Sequence, residues 1–450
     1  MSQTVYTDKQ TFLDDNEKLG TRLPFSDDLS PLSRPLTVQS RKAHNRLAAQ
    51  AMEGCDGTPD GAPGELTVRR CERLAAGGAG IIWFEATACM REGRANPRQL
   101  WIREETLDDF KRLVDRIREI GLRENGYAPL VIMQDTHSGR YSKPDGVPAP
   151  LIAYNNPIFE KDKPLDSSRI VSDEHIDRVG EALVEGARLA ERAGFDGVDV
   201  KACHRYLDSE LLSAYTRPGK YGGSFENRTR LLRESVQGAI GATGHGFIVS
   251  TRLNVYDGFP YPWGFGVSPD TEIPPADYRL DAPAPAFDPA EPIRLLRVLR
   301  DAGVELVNIT MGNPYFNPHV NRPFAKGGYE QPEHPLAGVA RILNGIGTLK
   351  AAVPDLLMIS SAMTFLGAAA PGVAAGAVAG GMFDCAGFGR TIFAQPDFAD
   401  RILRDGALDK KRLCLACSKC TELMRAGSTP GCVLRDGLYT DLYREVILKK

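Results

Sequence analysis

Eight short apolar runs, separated by segments of helical period, constrain this chain more than any other feature. The runs are Arg46–Ala51, Ile81–Glu85, Leu130–Asp135, Gly197–Val200, Phe247–Arg252, Leu306–Thr310, Leu357–Ser361 and Asp384–Gly387. Most are too short for helices, and each reads as a strand buried on both faces. The clearest intervening helix starts at Ser172, an N-cap residue followed by an acidic first turn. It carries Ile176, Val179, Leu183, Val184, Ala187 and Leu189 on one stripe and stops at Gly194. Further helices are expected over about 226–240 and 290–303. Strand–helix units repeated eight times predict α/β architecture closed as a (β/α)8 TIM barrel, with a doubly wound open sheet as the alternative. No G-x-G-x-x-G follows a strand, so a Rossmann-type dinucleotide domain is not visible.

The chain divides into an N-terminal arm (1–40), the barrel (41–405) and a cysteine-bearing C-terminal segment (406–450). Nine prolines fall in 258–292, together with Phe259, Tyr261, Trp263 and Phe265. This Pro-rich loop follows strand five, at the end where barrels carry their chemistry, and reads either as a lid or as inert decoration. The balance of 55 basic and 58 acidic residues gives a net charge of -3 and no electrostatic case for nucleic acid or an acidic membrane. No run approaches the ~20 apolar residues of a membrane span, and the polar start is no signal peptide. A cytoplasmic location is expected.

Nine cysteines are unevenly placed, and four of them fall within 19 residues as C-x2-C-x2-C-x11-C: Cys414, Cys417, Cys420 and Cys432. Zinc sites usually pair two separated C-x2-C knuckles. Three cysteines in a tight row with a distant fourth suit a 4Fe-4S cube. Zinc, or thiols with no ligand, are the alternatives.

Three further stretches carry chemistry at strand ends. QDTHSGRY (134–141) brings amide, imidazole and guanidinium together, though it also reads as a polar capping loop. VDVKACHRYL (198–207) places Lys201, His204 and Tyr206 within six residues, an ammonium, an imidazole and a phenol. GFGRTIFAQPD (387–397) offers backbone N–H groups at Gly389 and a cation at Arg390, where barrels often hold phosphate.

With these residues in view, the chain resembles the Old Yellow Enzyme family of flavin barrels, in its iron–sulfur branch with 2,4-dienoyl-CoA reductase and trimethylamine dehydrogenase. NRLAAQAM (45–52), FEATAC (84–89), QDTHSGRY, the block 194–230 containing YGGSFENR, STRLNVYDG (250–258) and GFGRTIFAQPD match family landmarks in order. The resemblance covers about residues 35–435 and implies FMN at the barrel mouth. It implies flavin contacts from Gln50, Ala51, Met52 and Glu53, from Ala86 and Gln134, and from Arg252 near the flavin N1. Ser361, Ala362, Gly389 and Arg390 would hold the phosphate. Tyr206 falls at the family's proton-donating tyrosine and His204 at the second member of its substrate pair. The chain departs from the pattern at Lys201 (a histidine in the family), Arg205 (a glycine) and Ser361-Ala362 (two glycines). A loop histidine of the dienoyl reductases is missing, with Tyr315 a candidate replacement.

The leading expectation is an FMN- and 4Fe-4S-dependent oxidoreductase that reduces a C=C bond conjugated to a carbonyl in a small-molecule substrate. Lys201 and His204 would polarise the oxygen and Tyr206 supply the proton. The alternatives are oxidation or demethylation of a small amine, with electrons leaving through the cluster, and a noncatalytic flavin–cluster electron carrier. The chain ends 18 residues after Cys432. The expectation is therefore either direct reduction by NAD(P)H or exchange with a separate flavoprotein or ferredoxin-like partner; a homo-oligomer is compatible with both.

Overall fold

A computed structural model describes residues 4–161, 163–270 and 273–449. Its centre is an eight-stranded, all-parallel sheet: β1 Leu47–Ala49, β2 Ile81–Ala88, β3 Leu130–Thr136, β4 Gly197–Val200, β5 Ile248–Asn254, β6 Leu306–Thr310, β7 Leu357–Ile359 and β8 Ala386–Phe388. Each strand pairs with the next, and β8 pairs back onto β1 through Ala386↔Leu47 and Phe388↔Ala49. A bridge between Ile359 and Cys385 joins β7 to β8, so the sheet closes. All eight expected strands are present, shifted by a few residues at their ends. The barrel is therefore the fold, and the open-sheet alternative is excluded.

Strand residues are buried on both faces because side chains alternate between the barrel interior and the surrounding helices. Trp83, Leu130, Ile132, Ile248 and Leu306 belong to the interior set; Ile82, Phe84, Val131, Val198 and Val249 pack outward against helices. The helix Asp173–Arg192 forms as its sequence predicts. The Ser172 hydroxyl accepts from the His175 N–H, and Ile176, Val179, Leu183 and Ala187 are buried. The expected helix over 226–240 is split at Thr229 into Phe225–Arg228 and Arg230–Ala242. The expected 290–303 helix runs Ala290–Asp301.

The N-terminal arm is more ordered than its polar sequence suggests. Lys9–Lys18 is a helix capped by Asp8, and Leu36–Val38 pairs with Arg41–Ala43 as a hairpin. The hairpin's Leu36, Val38 and Ala43 plug the interior set at the barrel floor. The arm also covers helix Ala370–Ala379, which is apolar on every side and so needs cover. A Cβ at Gly372 would stand 2.3 Å from the Phe25 ring, so only glycine lets the arm lie this close. Local periodicity misses the arm because its order comes from what it packs against.

At the opposite end, three insertions roof the mouth. The Pro-rich loop buries Phe259 and Phe265 and packs Phe259 against Phe316 of the loop after β6, ring centroids 5.6 Å apart. Residues 271 and 272 of that loop lie outside the described residues. The C-terminal segment contributes helices Lys419–Arg425 and Gly437–Tyr443. It is pinned to helix Glu65–Ala76 by Asp436, which accepts from Arg69 at 2.9 Å and Arg73 at 2.5 Å. Among the described residues no helix is long and apolar enough to cross a membrane.

Candidate active site

One cavity, lined by residues from every strand end, occupies the C-terminal mouth of the barrel. Every strand end feeds it. Gln50, Ala51, Met52 and Glu53 enter after β1, Ala86 from β2 and Gln134 from β3. Lys201 and His204 follow β4, Arg252 lies on β5, Ser361 and Ala362 follow β7, and Gly389 and Arg390 follow β8. The structure thus gathers all eleven residues expected at the flavin, from positions up to 340 apart in sequence.

A polar layer beneath the cavity sets these groups. Asp199 accepts from Gln134 at 2.7 Å, from the Trp83 indole at 2.5 Å and from the Arg252 backbone N–H. The Gln50 amide donates to Asn308 at 3.0 Å and to the Ser360 carbonyl at 2.8 Å, and accepts from Asn308 at 2.8 Å. Its side chain is therefore engaged within the barrel. A bulge between Phe84 and Ala86 re-aims Glu85, which accepts from the Gly54 N–H and from Arg70. That contact fixes the turn that carries Glu53.

Four lining residues hold buried polar atoms without a protein partner: Ser361 Oγ, Arg390 Nη1, Arg252 Nε and His204 Nε2. Leaving such a group unsatisfied costs about 1–3 kcal/mol. The set asks for a ligand with an anionic end near Ser361 and Arg390 and acceptors near Arg252. At Gly389 an added Cβ would meet only Met52 Sδ, at 3.7 Å, so a ligand can approach its backbone. FMN, with a phosphate and a carbonyl-bearing ring, matches this donor set.

Electrostatics separate the polar groups of β4. Burial pushes Lys201 down to about 8. Its ammonium lies 3.5 Å from the centre of the Tyr206 ring. His204 is held well below the ordinary histidine value, first by burial and then by Arg252 and Lys201, so its ring is neutral at pH 7. Glu53 is raised by burial although Lys201 and the Asn96 amide, 2.7 Å away, favour its charge.

Tyr206 stands apart from the other expected residues. It is fully buried and does not line the cavity. Its hydroxyl meets that of Tyr315 at 3.2 Å, and Tyr315 does line it. The backbone explains the placement. His204 and Arg205 take left-handed φ of 64° and 60°, where the family has glycine at the second position. Arg205 holds this conformation because its buried guanidinium is fixed by Asp257 at 3.1 Å and Tyr154 at 3.3 Å. Ala362, at φ 70°, likewise stands where the family has glycine.

The four cysteines of the tail surround a smaller cavity, together with Arg390 and Phe393. Burial pushes Cys414 up to about 12, with further repulsion from Cys420 and Cys432. Ala416 and Ser418, between successive cysteines, have left-handed φ of 49° and 62°. Such turns point backbone N–H groups inward, as at many anion and iron–sulfur sites. Among the described residues no three His, Cys, Asp or Glu groups close around a point as one metal ion requires. Cys420 and Arg390 line both cavities.

Sequence reasoning missed Thr310, Asn321, Arg322 and Thr421, which also line the large cavity. Thr310 ends β6, where its residue type gave no signal; Asn321 and Arg322 follow β6 and Thr421 lies on helix Lys419–Arg425, segments whose position only packing decides.

Comparison with known proteins follows the same lines. The family model described as NADH:flavin oxidoreductase / NADH oxidase matches residues 31–262, over half the chain. An NADPH dehydrogenase of Halalkalibacterium halodurans is 36% identical over 180 residues, 39% of this chain and 49% of that protein. A cinnamate reductase of Clostridium sporogenes is 28% identical over 321 residues, 70% of this chain and 44% of that protein. In both, the match takes in less than half of the relative's length. A solved 2-naphthoyl-CoA reductase complex superposes with a TM-score of 0.70 at 21% identity, covering 92% of this chain and 58% of that one. At that identity the likeness shows the fold.

Proposed function

The chain belongs to the NADH:flavin oxidoreductase / NADH oxidase family, and from that premise we propose that it reduces a C=C bond conjugated to a carbonyl, using FMN and NAD(P)H. FMN, when bound, supplies two-electron hydride chemistry between the nicotinamide and the activated carbon. Ser361, Gly389 and Arg390 hold its phosphate; Arg252, Gln134 and Ala86 face its ring, and residues 50–53 pass beside it. That the barrel brings these positions into one cavity with Lys201, His204 and Tyr315 carries this reading.

Lys201 is cationic at pH 7 and His204 offers a neutral N–H. Both serve a substrate oxygen that gains negative charge as its conjugated carbon accepts hydride. The resulting enolate takes a proton on the neighbouring carbon. Tyr315 faces the cavity and donates it; the Tyr206 hydroxyl behind, 3.2 Å away, supports the resulting phenolate until Tyr315 takes a proton from water. The proton-donating role that the family pattern gives Tyr206 thereby passes to Tyr315, with Tyr206 supporting it.

Cys414, Cys417, Cys420 and Cys432 bind a 4Fe-4S cluster in the same proposal. Four thiols in C-x2-C-x2-C-x11-C spacing around one cavity suit a cage of several irons. Cys420, lining both cavities, is then the point of contact between the two redox groups, and a carrier protein is the natural partner on the outer side.

The rival reading is oxidation of a small amine. Glu53, a carboxyl facing the cavity, favours it, because it could receive a substrate ammonium. Lys201 in the same cavity opposes it by repelling that charge. Acid precipitation should release FMN, and NADPH consumption should then depend on an added enone or enoate. Colourless supernatant overturns the flavin assignment. Turnover of amines alone, with an artificial acceptor, overturns the reductive direction.

A further inference from the structure

The outer face of the cysteine segment has a charge and a surface unlike the rest of the chain. Residues 406–450 hold nine basic against five acidic side chains, a balance of +4 in a chain whose total is -3, so the remainder stands at -7. Of the seven large apolar side chains exposed among the described residues, four lie in this segment: Leu415, Leu434, Leu438 and Leu448. Two of them sit on the cysteine cavity. Leu415 and Leu434, 38% and 40% exposed, line it toward solvent, whereas Arg390, Phe393 and Cys420 line it where it meets the flavin cavity. Among the described residues its charged lining is Arg390 and Lys419, with no carboxylate. Lys410 and Lys411 precede the first cysteine, and Arg435 follows Leu434 directly. Lys411 is exposed and Lys419 lies 5.0 Å from the centre of the Tyr443 ring; Arg435 donates to the Leu413 carbonyl at 3.4 Å. The nearby carboxylates are engaged elsewhere. Asp409 accepts from the Lys411 backbone N–H, Asp436 holds Arg69 and Arg73, and Glu422 accepts from the Tyr443 hydroxyl.

Apolar side chains exposed together, with a rim of one charge, mark a contact surface. The charge steers a partner of opposite sign, and a small apolar centre holds it briefly. We propose that the surface around Leu415 and Leu434 docks a small acidic one-electron carrier protein and brings its redox group against the cysteine cavity. The proposal rests on the reading that the four cysteines hold a cluster, and goes beyond it in naming the surface and the partner's charge. A cluster passes electrons singly, whereas saturating a C=C bond takes two. Two reduced carriers and two protons from water therefore reduce the flavin as one NAD(P)H and one proton do, leaving two oxidised carriers.

An acidic 2Fe-2S ferredoxin is the probe, and its binding to protein loaded with FMN and iron is read by surface plasmon resonance. Binding is expected at low ionic strength and should weaken as added salt shortens the reach of the charges to about 10 Å and below. Lys411→Glu with Arg435→Glu should weaken it about tenfold or more, while iron, FMN and NADPH-driven turnover stay at parent levels. If that double variant loses iron, Lys411→Glu alone takes its place. Leu434→Ser should weaken binding and leave its salt dependence unchanged. Lys42→Glu makes the same charge change on the hairpin at the barrel floor and should bind as the parent does. No binding at low salt, equal binding in the charge-reversed variant, or an equal loss in Lys42→Glu overturns the docking surface. A dimer at low salt that the charge-reversed variant abolishes also overturns it, and gives the surface to a second copy of the chain. Parent protein that holds no iron counts against the cluster reading instead.

Discussion

The barrel mouth and the cysteine segment are neighbours that share Arg390, Phe393 and Cys420, yet they are built in opposite ways. At the mouth, groups from strands distant in sequence hold one another, as Asp199 holds the Gln134 amide and the Arg252 backbone N–H. In the segment, four thiols come from 19 consecutive residues, on short helices and left-handed turns. The mouth is tied by bonds between distant strands, whereas the segment's four half-buried thiols lie around a small cavity of its own. The difference predicts that the two sites can be emptied separately.

Cys417→Ser should produce the largest change. Iron content falls from about four per chain, following the cluster type, to near zero, while bound FMN stays near one per chain. Joint loss of FMN and iron would show that the mouth also depends on the segment. Next comes Tyr315→Phe, which should slow reoxidation of the reduced enzyme by unsaturated substrate ~100- to 10,000-fold, the usual range for general acid catalysis. Tyr206→Phe should slow it less, because only the hydrogen bond that supports the donor is lost. Stopped-flow rates for the pair test this, and the reverse order returns the acid role to Tyr206.

Removing a phosphate contact is smaller. Arg390→Ala takes away a charged hydrogen bond worth about 1.5–3 kcal/mol, so FMN should dissociate about 10- to 150-fold more readily, measured by fluorescence. Because Arg390 also lines the cysteine cavity, unchanged iron in that variant sharpens the separation. Lys201 gives a pH signature. Its folded value is lowered to about 8, and the ammonium is the useful form, so kcat/KM should fall as pH rises through about 8. Lys201→Arg should push that fall to higher pH; an unmoved profile removes Lys201 from the reaction. The smallest effect belongs to Asp436→Asn, which weakens the ion pairs to Arg69 and Arg73 and part of a helix cap, about 1 kcal/mol in all. Hydrogen exchange should quicken in residues beyond 406 and not in β1–β8.

How much was legible follows from the same contrast. The eight strands were legible because buried parallel strands must be apolar on both faces, and helices between them carry their own caps, as at Ser172. The cysteine group stood out because its four thiols lie within 19 residues. The arm was not legible, since Phe25 and the turn that holds Leu32 pack on helix Ala370–Ala379, more than 330 residues away.

The amino-acid sequence by itself determined the barrel, its strand ends and the chemical kinds of group gathered there, because these depend on short-range pattern and residue type. Only the tertiary structure decided which phenol meets the cavity. Tyr206 lies in the expected motif, yet paired left-handed residues and the buried Arg205 network set it behind Tyr315, from a loop over 100 residues later. Arg322 and Arg425 become neighbours in the same way, through the docking of an insertion against the C-terminal helix. Orientation at a buried site depends on what fills the space around it, and that space is made by segments far apart in the chain.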